Sequence, residues 1–253
     1  MCTLALYFQE FYEFPLIVAA NRDECFDRPS TSPQVLIEKP RIFGGKDLLA
    51  GGTWLGINEY GLLAGILNLT TDSKRGGTTV RSRGLLCLDT LKAKDPARAC
   101  TILLREEGSS YQPFTLLFAN AEKAYIVQNI KADIQCTELQ RGVHVLGNTS
   151  QYEPRSEKMD HAQNLFSQAG KRAREAMDLS SMKRLFKEVL INHELPEESK
   201  NSHSAICVHA GDYGTVCSSM IFYSRLEKRF HYYHTSTPPC RSDYEEFQTV
   251  EAK

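Results

Sequence analysis

The second residue of the chain is a cysteine, which places a thiol next to the amino terminus. Methionine aminopeptidases remove an initiator methionine when the second residue is small, so the mature chain is expected to begin at Cys2. That residue would carry a thiol, with an ordinary pKa of about 8.5, and an α-amino group, with an ordinary pKa of about 7.7–8.0. Near neutral pH the free amine can take the thiol proton, directly or through water. Cys2 is therefore a candidate nucleophile that brings its own base.

A run of four polar residues, Asn-Arg-Asp-Glu at 21–24, follows the apolar segment LIVAA. If this segment and the first one form a hairpin, antiparallel pairing brings the polar run to the start of the first strand. Arg22 can then stabilise the Cys2 thiolate or hold a substrate carboxylate. Asp23 can accept a hydrogen bond from the terminal ammonium. The alternatives are a cysteine that only packs and a salt-bridged strand end that leads into a turn.

Further candidates come from residues that would line a pocket or contact an oxyanion. Trp54 is the only tryptophan, and on a strand it either fills the core or forms a pocket wall. Asn148 follows a predicted strand, so its amide can reach a developing oxyanion or else shape a turn. Residues predicted to contact substrate are Asn21, Glu24, Gly51, Gly52, Trp54 and Arg83, and the two glycines permit close backbone approach or a positive φ.

Composition and charge narrow the function class. The chain has 253 residues, 42% hydrophobic, and a net charge of -1 from 30 basic and 31 acidic side chains. A nucleic-acid-binding protein usually shows a basic excess, which this chain lacks. It contains no apolar run of 18 or more residues and no signal-peptide pattern. We expect one domain spanning 1–253, soluble and cytoplasmic, with a small-molecule ligand, no nucleic-acid partner and no membrane span.

The eight cysteines are scattered, without a Cys-x-x-Cys pair. In a reducing compartment this pattern favours small buried side chains over disulfides or a zinc site. Cys207 and His209 are the only close cysteine–histidine pair, and residues two apart on a strand share a face for ordinary reasons. We therefore predict no metal site.

Periodicity predicts strands, a helix pair, strands, a second helix pair and final strands. The expected helices cover 82–92, 95–107, 155–169 and 181–192, and residues 33–52 and 70–79 read as loops. The expected strands cover 2–8, 15–20, 54–58, 62–67, 114–119, 124–129, 134–138, 143–147, 205–209, 218–223 and 229–234. Hairpin-joined strands form antiparallel sheets, and paired helices need an apolar face to cover. The fold class predicted is α+β, a four-layer αββα sandwich, with a two-layer α+β fold as the alternative.

The chain resembles the NRDE, or transport and Golgi organisation 2 (TANGO2), family. The resemblance is carried by AANRDE after a Met-Cys start, GGTWLGIN at 51–58, SRG at 82–84, LGN at 146–148 and YGTVCSS at 213–219. These separated motifs stand in the family's order along nearly the whole chain. Val216 departs from the usual arginine, and Gly147 departs from the usual serine.

The resemblance implies an N-terminal-nucleophile hydrolase fold, which is shared with cysteine amidases such as penicillin V acylase and bile-salt hydrolase. Those enzymes pair the cysteine with an arginine, an aspartate and an oxyanion-binding asparagine, for which Arg22, Asp23 and Asn148 are the counterparts here. The expected function is a Cys2-dependent amide or thioester hydrolase that requires no cofactor. The resemblance also implies an alternative, a haem or acyl-CoA and lipid carrier, with haem as cargo and His209, His231 or His234 as candidate ligands. The oligomeric state stays open.

Overall fold

A computed structural model describes residues 2–69, 80–148, 156–176, 178–197, 199 and 201–247. Within these ranges the chain forms fourteen strands, four α-helices and two short 3-10 turns. The helices are α1 (Arg83–Thr90), α2 (Pro96–Leu103), α3 (Glu157–Ala176) and α4 (Leu179–Leu190). The strands are β1 (Thr3–Phe8), β2 (Leu16–Cys25), β3 (Gln34–Glu38), β4 (Arg41–Gly44), β5 (Leu55–Asn58), β6 (Leu63–Asn68), β7 (Phe114–Ala119), β8 (Ala124–Ile130), β9 (Asp133–Leu139), β10 (Gly142–Leu146), β11 (His209–Ala210), β12 (Tyr213–Ser224), β13 (Arg229–Thr235) and β14 (Glu245–Phe247).

The described strands make two seven-stranded antiparallel sheets. The first sheet has the order β10-β1-β2-β12-β13-β14, with β11 beside β12. The second sheet runs β3 to β9 in chain order, so each strand pairs with its sequence neighbour. In the first sheet β1 lies between β10 and β2, and β2 lies between β1 and β12. The start of β1 is therefore held on both sides.

Three apolar layers separate the two sheets and the two helix pairs. One cluster fills the space between the first sheet and α3 with α4, a second joins the two sheets, and a third lies between the second sheet and α1 with α2. Along β2 the side chains alternate between layers: Ile17 and Ala19 face the helices, whereas Val18 and Ala20 face the second sheet. The predicted α+β class and the αββα layering are confirmed.

The second strand differs from the sequence expectation in its length. We predict its end at Ala20, but β2 continues to Cys25. The reason is β12, which pairs with β2 from Leu16 to Cys25 and supplies backbone hydrogen bonds that an isolated hairpin would lack. The polar run is thus part of a central strand, and its side chains alternate between the two faces of the sheet.

Loops and helix ends also differ from the sequence expectation. The segment predicted as a loop at 33–52 contains β3 and β4, which form an edge hairpin whose short strands carry a weak periodicity signal. Helix α2 does begin with the predicted Asp95 cap and a proline, but ends at Leu103. Helix α3 continues to Ala176, beyond its predicted end. The strand predicted at 205–209 is reduced to β11.

Cys100 and Cys136 are joined by a disulfide, contrary to the prediction of reduced cysteines. They lie on α2 and β9, elements whose contact could not be read from sequence spacing. The predicted loop at 70–79 lies outside the described residues. No helix among the residues described is both long and apolar enough to cross a membrane.

Helix α3 lies close to the first sheet because it carries a glycine over a tyrosine ring. A Cβ atom at Gly170 would come within 2.7 Å of Tyr7 Cε1. Tyr7 is fully buried, and its hydroxyl donates a hydrogen bond to the carbonyl of Phe166, one turn earlier in the helix. The tyrosine therefore fixes the distance between helix and sheet.

We predict that Gly170→Ala destabilises the protein. In an exposed helix position this change stabilises by roughly 1 kcal/mol through helix propensity. Here the methyl group displaces the Tyr7 ring or the helix, which costs about 1–3 kcal/mol. Urea unfolding should show the loss, with Asn164→Ala on the exposed face of the same helix as the control. A more stable Gly170→Ala protein would contradict this packing account.

Candidate active site

A cleft of about 260 Å³ opens where β1 begins and the polar part of β2 runs past it. Its walls come from both sheets, from the turn at 47–54 and from the start of α1. The lining includes Cys2, Arg22, Glu24, Trp54 and Arg83, all of which the sequence predicts as site residues. The structure therefore brings together five of the predicted residues from four separate motifs.

Cys2 is half-buried and directly precedes the first residue of β1. Its Sγ lies 3.6 Å from the backbone carbonyl oxygen of Asp23, within the range of a thiol hydrogen bond. The β1–β2 register pairs Thr3 with Asn21, so the same register continued by one residue sets Cys2 opposite Arg22. Burial raises the pKa of the Cys2 thiol, and the negative charge of Asp23 raises it further, whereas the positive charge of Arg22 lowers it.

Alternation along β2 divides the polar run between two environments. Arg22 and Glu24 point into the cleft, while Asn21 and Asp23 point towards the helix layer. Asn21 is fully buried, and its amide nitrogen donates to the carbonyls of Leu190 and Ile206, at 2.8 and 3.0 Å. The expectation that Asn21 contacts substrate is therefore wrong in this geometry: it joins β2 to the end of α4.

Arg22 is 4% exposed and belongs to a charged cluster on the cleft wall. Its guanidinium lies 3.8 Å from Glu24 and 3.7 Å from Asp47. Arg28 binds the same two carboxylates, at 2.8 Å from Asp47 and 3.7 Å from Glu24. Burial opposes ionisation of Asp47, but hydrogen bonds from the Ala50 amide and from Arg28 outweigh it and lower the pKa of that carboxyl. The cluster orients Arg22 with its charge held next to Cys2.

Asp23 lies beneath the cleft, inside the protein. Its Oδ1 accepts a hydrogen bond from the Thr215 hydroxyl at 2.6 Å, and its Oδ2 lies 3.6 Å from Lys158 Nζ. Tyr213 donates to the Asp23 carbonyl at 3.0 Å, the same oxygen that faces the Cys2 thiol. Burial raises the pKa of Asp23 and lowers that of Lys158, and each group's charge opposes the shift of its partner.

Sequence reasoning misses Lys158 and Thr215. Lys158 lies near the start of an amphipathic helix, where a lysine normally indicates a solvated face, but here it is 1% exposed. Thr215 stands in the YGTVCSS motif, and only the pairing of β12 with β2 shows that it lies opposite Asp23. The motif itself is the one signal that pointed to this segment.

The GGTW and SRG motifs meet through their backbones. A Cβ at Gly52 would lie 2.1 Å from the carbonyl carbon of Gly84, and the Thr53 amide donates to the Gly84 carbonyl at 3.0 Å. Gly51 adopts a φ of +77°, which favours glycine. Gly51 and Gly52 do not line the cleft; they allow the turn and the close approach that place Trp54 and Arg83 there.

Trp54 and Arg83 form part of the cleft wall. Trp54 is half-buried and packs against the apolar cluster between the sheets, just before β5 begins. Arg83 donates to the Pro113 carbonyl at 2.9 Å, and within the described part of the chain no carboxylate lies within 4 Å of its guanidinium. Burial lowers the pKa of Arg83, and the positive charge of Arg28 lowers it further. The cleft therefore holds a cation that an anionic ligand would stabilise.

Asn148 follows β10 and is not among the described residues that line the cleft. Strand β10 pairs Leu146 with Leu4, and the same register continued by two residues sets Asn148 opposite Cys2. Its Oδ1 is buried, with no hydrogen-bond partner among the described residues. A Cβ at Gly147 would lie 2.4 Å from Met159 Sδ, so the glycine accommodates a methionine of α3. The oxyanion role of Asn148 stays a prediction.

The candidate haem histidines lie away from the cleft. His234 bonds to the Ser219 hydroxyl at 2.9 Å, and burial lowers its pKa to about 4. His231 lies 3.2 Å from Glu246 on the neighbouring strand. His209 belongs to a separate group with Cys207 and Cys240. None of the three is among the residues that line the described cleft.

We predict that Asn21→Ala lowers the free energy of unfolding by about 2–4 kcal/mol, because two buried carbonyls lose their donor. The folded fraction should bind cleft ligands with unchanged affinity, because the side chain points away from the cleft. Chemical denaturation and ligand titration measure the two effects, with the exposed Asn164→Ala as the control. A stable variant with weakened ligand binding would restore the substrate-contact role.

Solved structures of other proteins share this fold. Among solved structures, the C2A mutant of conjugated bile acid hydrolase from Clostridium perfringens superposes with a TM-score of 0.57 at 10% sequence identity, covering 100% of this chain and 98% of that chain. An N-acylethanolamine-hydrolyzing acid amidase ortholog from Caenorhabditis elegans gives a TM-score of 0.54 at 10% identity, covering 87% of this chain and 92% of that chain. At such identities the likeness shows the fold alone, which is that of the N-terminal-nucleophile hydrolases.

Sequence similarity identifies the family. The chain is 29% identical over 229 residues to the Transport and Golgi organization protein 2 homolog of Bos taurus, covering 82% of each chain. It is 27% identical over 235 residues to the homolog of Homo sapiens, again covering 82% of each chain. Residues 1–237 match the family described as Transport and Golgi organisation 2, and the chain belongs to that family.

Proposed function

We propose that this protein is an acyl hydrolase in which Cys2, freed by removal of Met1, attacks an amide or thioester. The observation that carries the proposal is the position of the Cys2 thiol. It opens into a cleft lined by Arg22, and the Asp23 carbonyl lies 3.6 Å away. The similarity of the fold to a bile acid hydrolase and an acid amidase supports the same reaction class. The first is named as a hydrolase of conjugated bile acids and the second as an amidase that hydrolyses N-acylethanolamines.

The first step is activation of the thiol. Burial and Asp23 raise the thiol pKa, so the resting nucleophile is a thiol and needs a base. The α-amino group of a mature Cys2 takes the proton and becomes an ammonium, and the Asp23 carboxylate and carbonyl supply nearby negative charge and an acceptor for it. Arg22 stabilises the thiolate. Thr215 and Lys158 keep the aspartate in place from the other side of the sheet.

The thiolate then attacks the carbonyl carbon and forms the carbon–sulfur bond, and the carbonyl electrons move to oxygen. A hydrogen-bond donor such as the Asn148 amide holds that oxyanion. The intermediate collapses, the bond to the leaving amine or thiol breaks, and the Cys2 ammonium returns its proton to the leaving group. Water attacks the resulting thioester, giving its proton to the amine. The acid is released and Cys2 regains its thiol proton.

The charges of the cleft indicate the class of substrate. Four arginines line it, Arg22, Arg28, Arg81 and Arg83, against the carboxylates of Glu24 and Asp47. Arg81 is paired with Asp89, outside this cluster. Arg83 has no such partner among the described residues, so the wall retains a net positive charge. Together with the apolar face of Trp54, this favours an acyl compound that carries a carboxylate or phosphate group.

We predict that the purified protein begins at Cys2 and gains one acyl group when incubated with an activated acyl thioester. Intact-mass spectrometry reports both the loss of methionine and the adduct. Cys2→Ala should abolish the adduct while the thermal unfolding curve stays close to that of the unaltered protein. Cys25→Ala, at an exposed cysteine outside the cleft, should retain it.

The rate of acylation should rise with pH, because the thiol pKa is raised and the thiolate becomes more abundant as pH approaches it. In Arg22→Gln the rise in acylation rate should occur at still higher pH, because the substitution removes the positive charge that lowers the thiol pKa. Retention of Met1 in the active protein, or acylation that persists in Cys2→Ala, would contradict the mechanism.

The unpaired charge of Arg83 beside Trp54 favours one alternative, a carrier that binds haem or an acyl-CoA in the same cleft without cleaving it. Haem propionates and acyl-CoA phosphates both present anions to an arginine wall. We predict in that case saturable haemin binding that Arg83→Gln weakens about 10-fold or more. Arg105→Gln, at an exposed position away from the cleft, should leave it unchanged. Weak, non-saturating haemin association would contradict the carrier function.

A further inference from the structure

A second group of reactive side chains lies at the edge of the first sheet. His193 follows α4, Cys207 precedes β11, His209 is the first residue of β11, and Cys240 follows β13. One potential ligand atom from each of the four lies within 4.8 Å of all the others. Sequence alone brings only Cys207 and His209 close together, and folding adds the other two. We propose that these residues form a tetrahedral site for a zinc ion.

The distances in this group match a four-coordinate zinc site. Zn–S bonds of about 2.3 Å and Zn–N bonds of about 2.0–2.1 Å in a tetrahedron place two sulfurs about 3.8 Å apart, and a sulfur and a nitrogen about 3.6 Å apart. Cys207 Sγ lies 3.7 Å from Cys240 Sγ and 3.8 Å from His209 Nε2. Cys240 Sγ lies 3.3 Å from His209 Nε2. The sulfurs are too far apart for the bond of about 2.05 Å that a disulfide requires.

The fourth ligand is oriented by a backbone contact typical of metal-binding histidines. His193 Nδ1 lies 3.0 Å from the carbonyl oxygen of Cys207. When the proton is on Nδ1, the ring donates a hydrogen bond to that oxygen, and the lone pair of Nε2 is free to bind a metal. The His193 and His209 ring centroids are 5.0 Å apart, which places both imidazoles at one centre. The carbonyl therefore selects the tautomer that a zinc site needs.

The charges of the group also favour a dication. Two thiolates and two neutral imidazoles balance a charge of +2. Sulfur and imidazole ligands in a tetrahedron select zinc over magnesium or calcium.

This site has a structural role, separate from the reaction at Cys2. Four protein ligands leave no open position for water, as in structural zinc sites. The ion would join the end of α4, the β11 segment and the chain after β13. It would also brace the support of Asp23, because the Val208 amide, next to Cys207, donates to the Thr215 hydroxyl that binds Asp23. None of the four ligands lines the described cleft.

The test uses the full chain, purified without chelators, with metal measured by inductively coupled plasma mass spectrometry. We expect about one equivalent of zinc per chain. Cys240→Ser and His193→Gln, both at exposed ligands, should each lose most of it while remaining folded. The matched controls Cys25→Ser and His144→Gln should retain it. Replacement of zinc by Co²⁺ should give the intense red-region bands of a tetrahedral site and a thiolate charge-transfer band in the near ultraviolet.

The proposal is overturned if the protein binds no zinc or cobalt, or if the ligand variants bind as much as the controls. It is equally overturned if anaerobic alkylation and peptide mapping find Cys207 and Cys240 joined in a disulfide. The Cys2→Ala variant should keep its zinc, so loss of acyl transfer and loss of the metal are separable results. Chelation should lower the melting temperature of the unaltered protein and leave that of Cys240→Ser unchanged.

Discussion

The pairing of β2 with β12 is the constraint on which the site depends. Without β12, the strand would have no hydrogen-bonding partner beyond its hairpin with β1, and the polar residues after Ala20 would form a turn. With it, Arg22 and Asp23 become consecutive residues of a central strand, on opposite faces of the sheet. One side chain then enters the cleft and the other enters the protein interior. Because side chains alternate along a strand, Arg22 contributes to the cleft and Asp23 to the buried polar network.

The interior half of this arrangement is a buried polar network around Asp23. The carboxylate, the Thr215 hydroxyl and the Lys158 ammonium come from a strand, a second strand and a helix, so the network ties the first sheet to α3. A buried ion pair of this kind adds little net stability, because desolvation offsets the attraction. Its value lies in geometry: the carbonyl of the same aspartate faces the thiol, and a fixed carboxylate fixes that carbonyl.

The layered fold could be predicted from sequence because its signal is redundant. Continuous apolar runs of strand length recur along the chain, as expected for strands covered on both faces, and the paired helices show a clear apolar face. Cys2 and Arg22 could also be placed together, since hairpin geometry alone brings them near each other. The length of β2 could not, because its hydrogen bonds come from a strand about 190 residues later. For the same reason the sequence does not show that Asn21 faces the helix layer or that Lys158 is buried.

The contacts between cysteines could not be predicted either, because they join residues that are far apart in sequence. Spacing rules detect sites whose ligands are close in sequence, whereas Cys100 on α2 meets Cys136 on β9, and three strands separate Cys207 from Cys240 along the chain.

The backbone contact between Gly52 and Gly84 restricts how this cleft can diverge among related proteins. The two backbone segments touch with no side chain between them, so their separation cannot be changed by substituting a larger or smaller residue. Trp54 and Arg83, which follow or precede these contacts, therefore keep their positions relative to each other. Changes in ligand preference must then arise at cleft residues outside these two motifs, such as Glu24 and Arg28, because Asp47 is itself hydrogen-bonded through its backbone to Gly51 and Gly52.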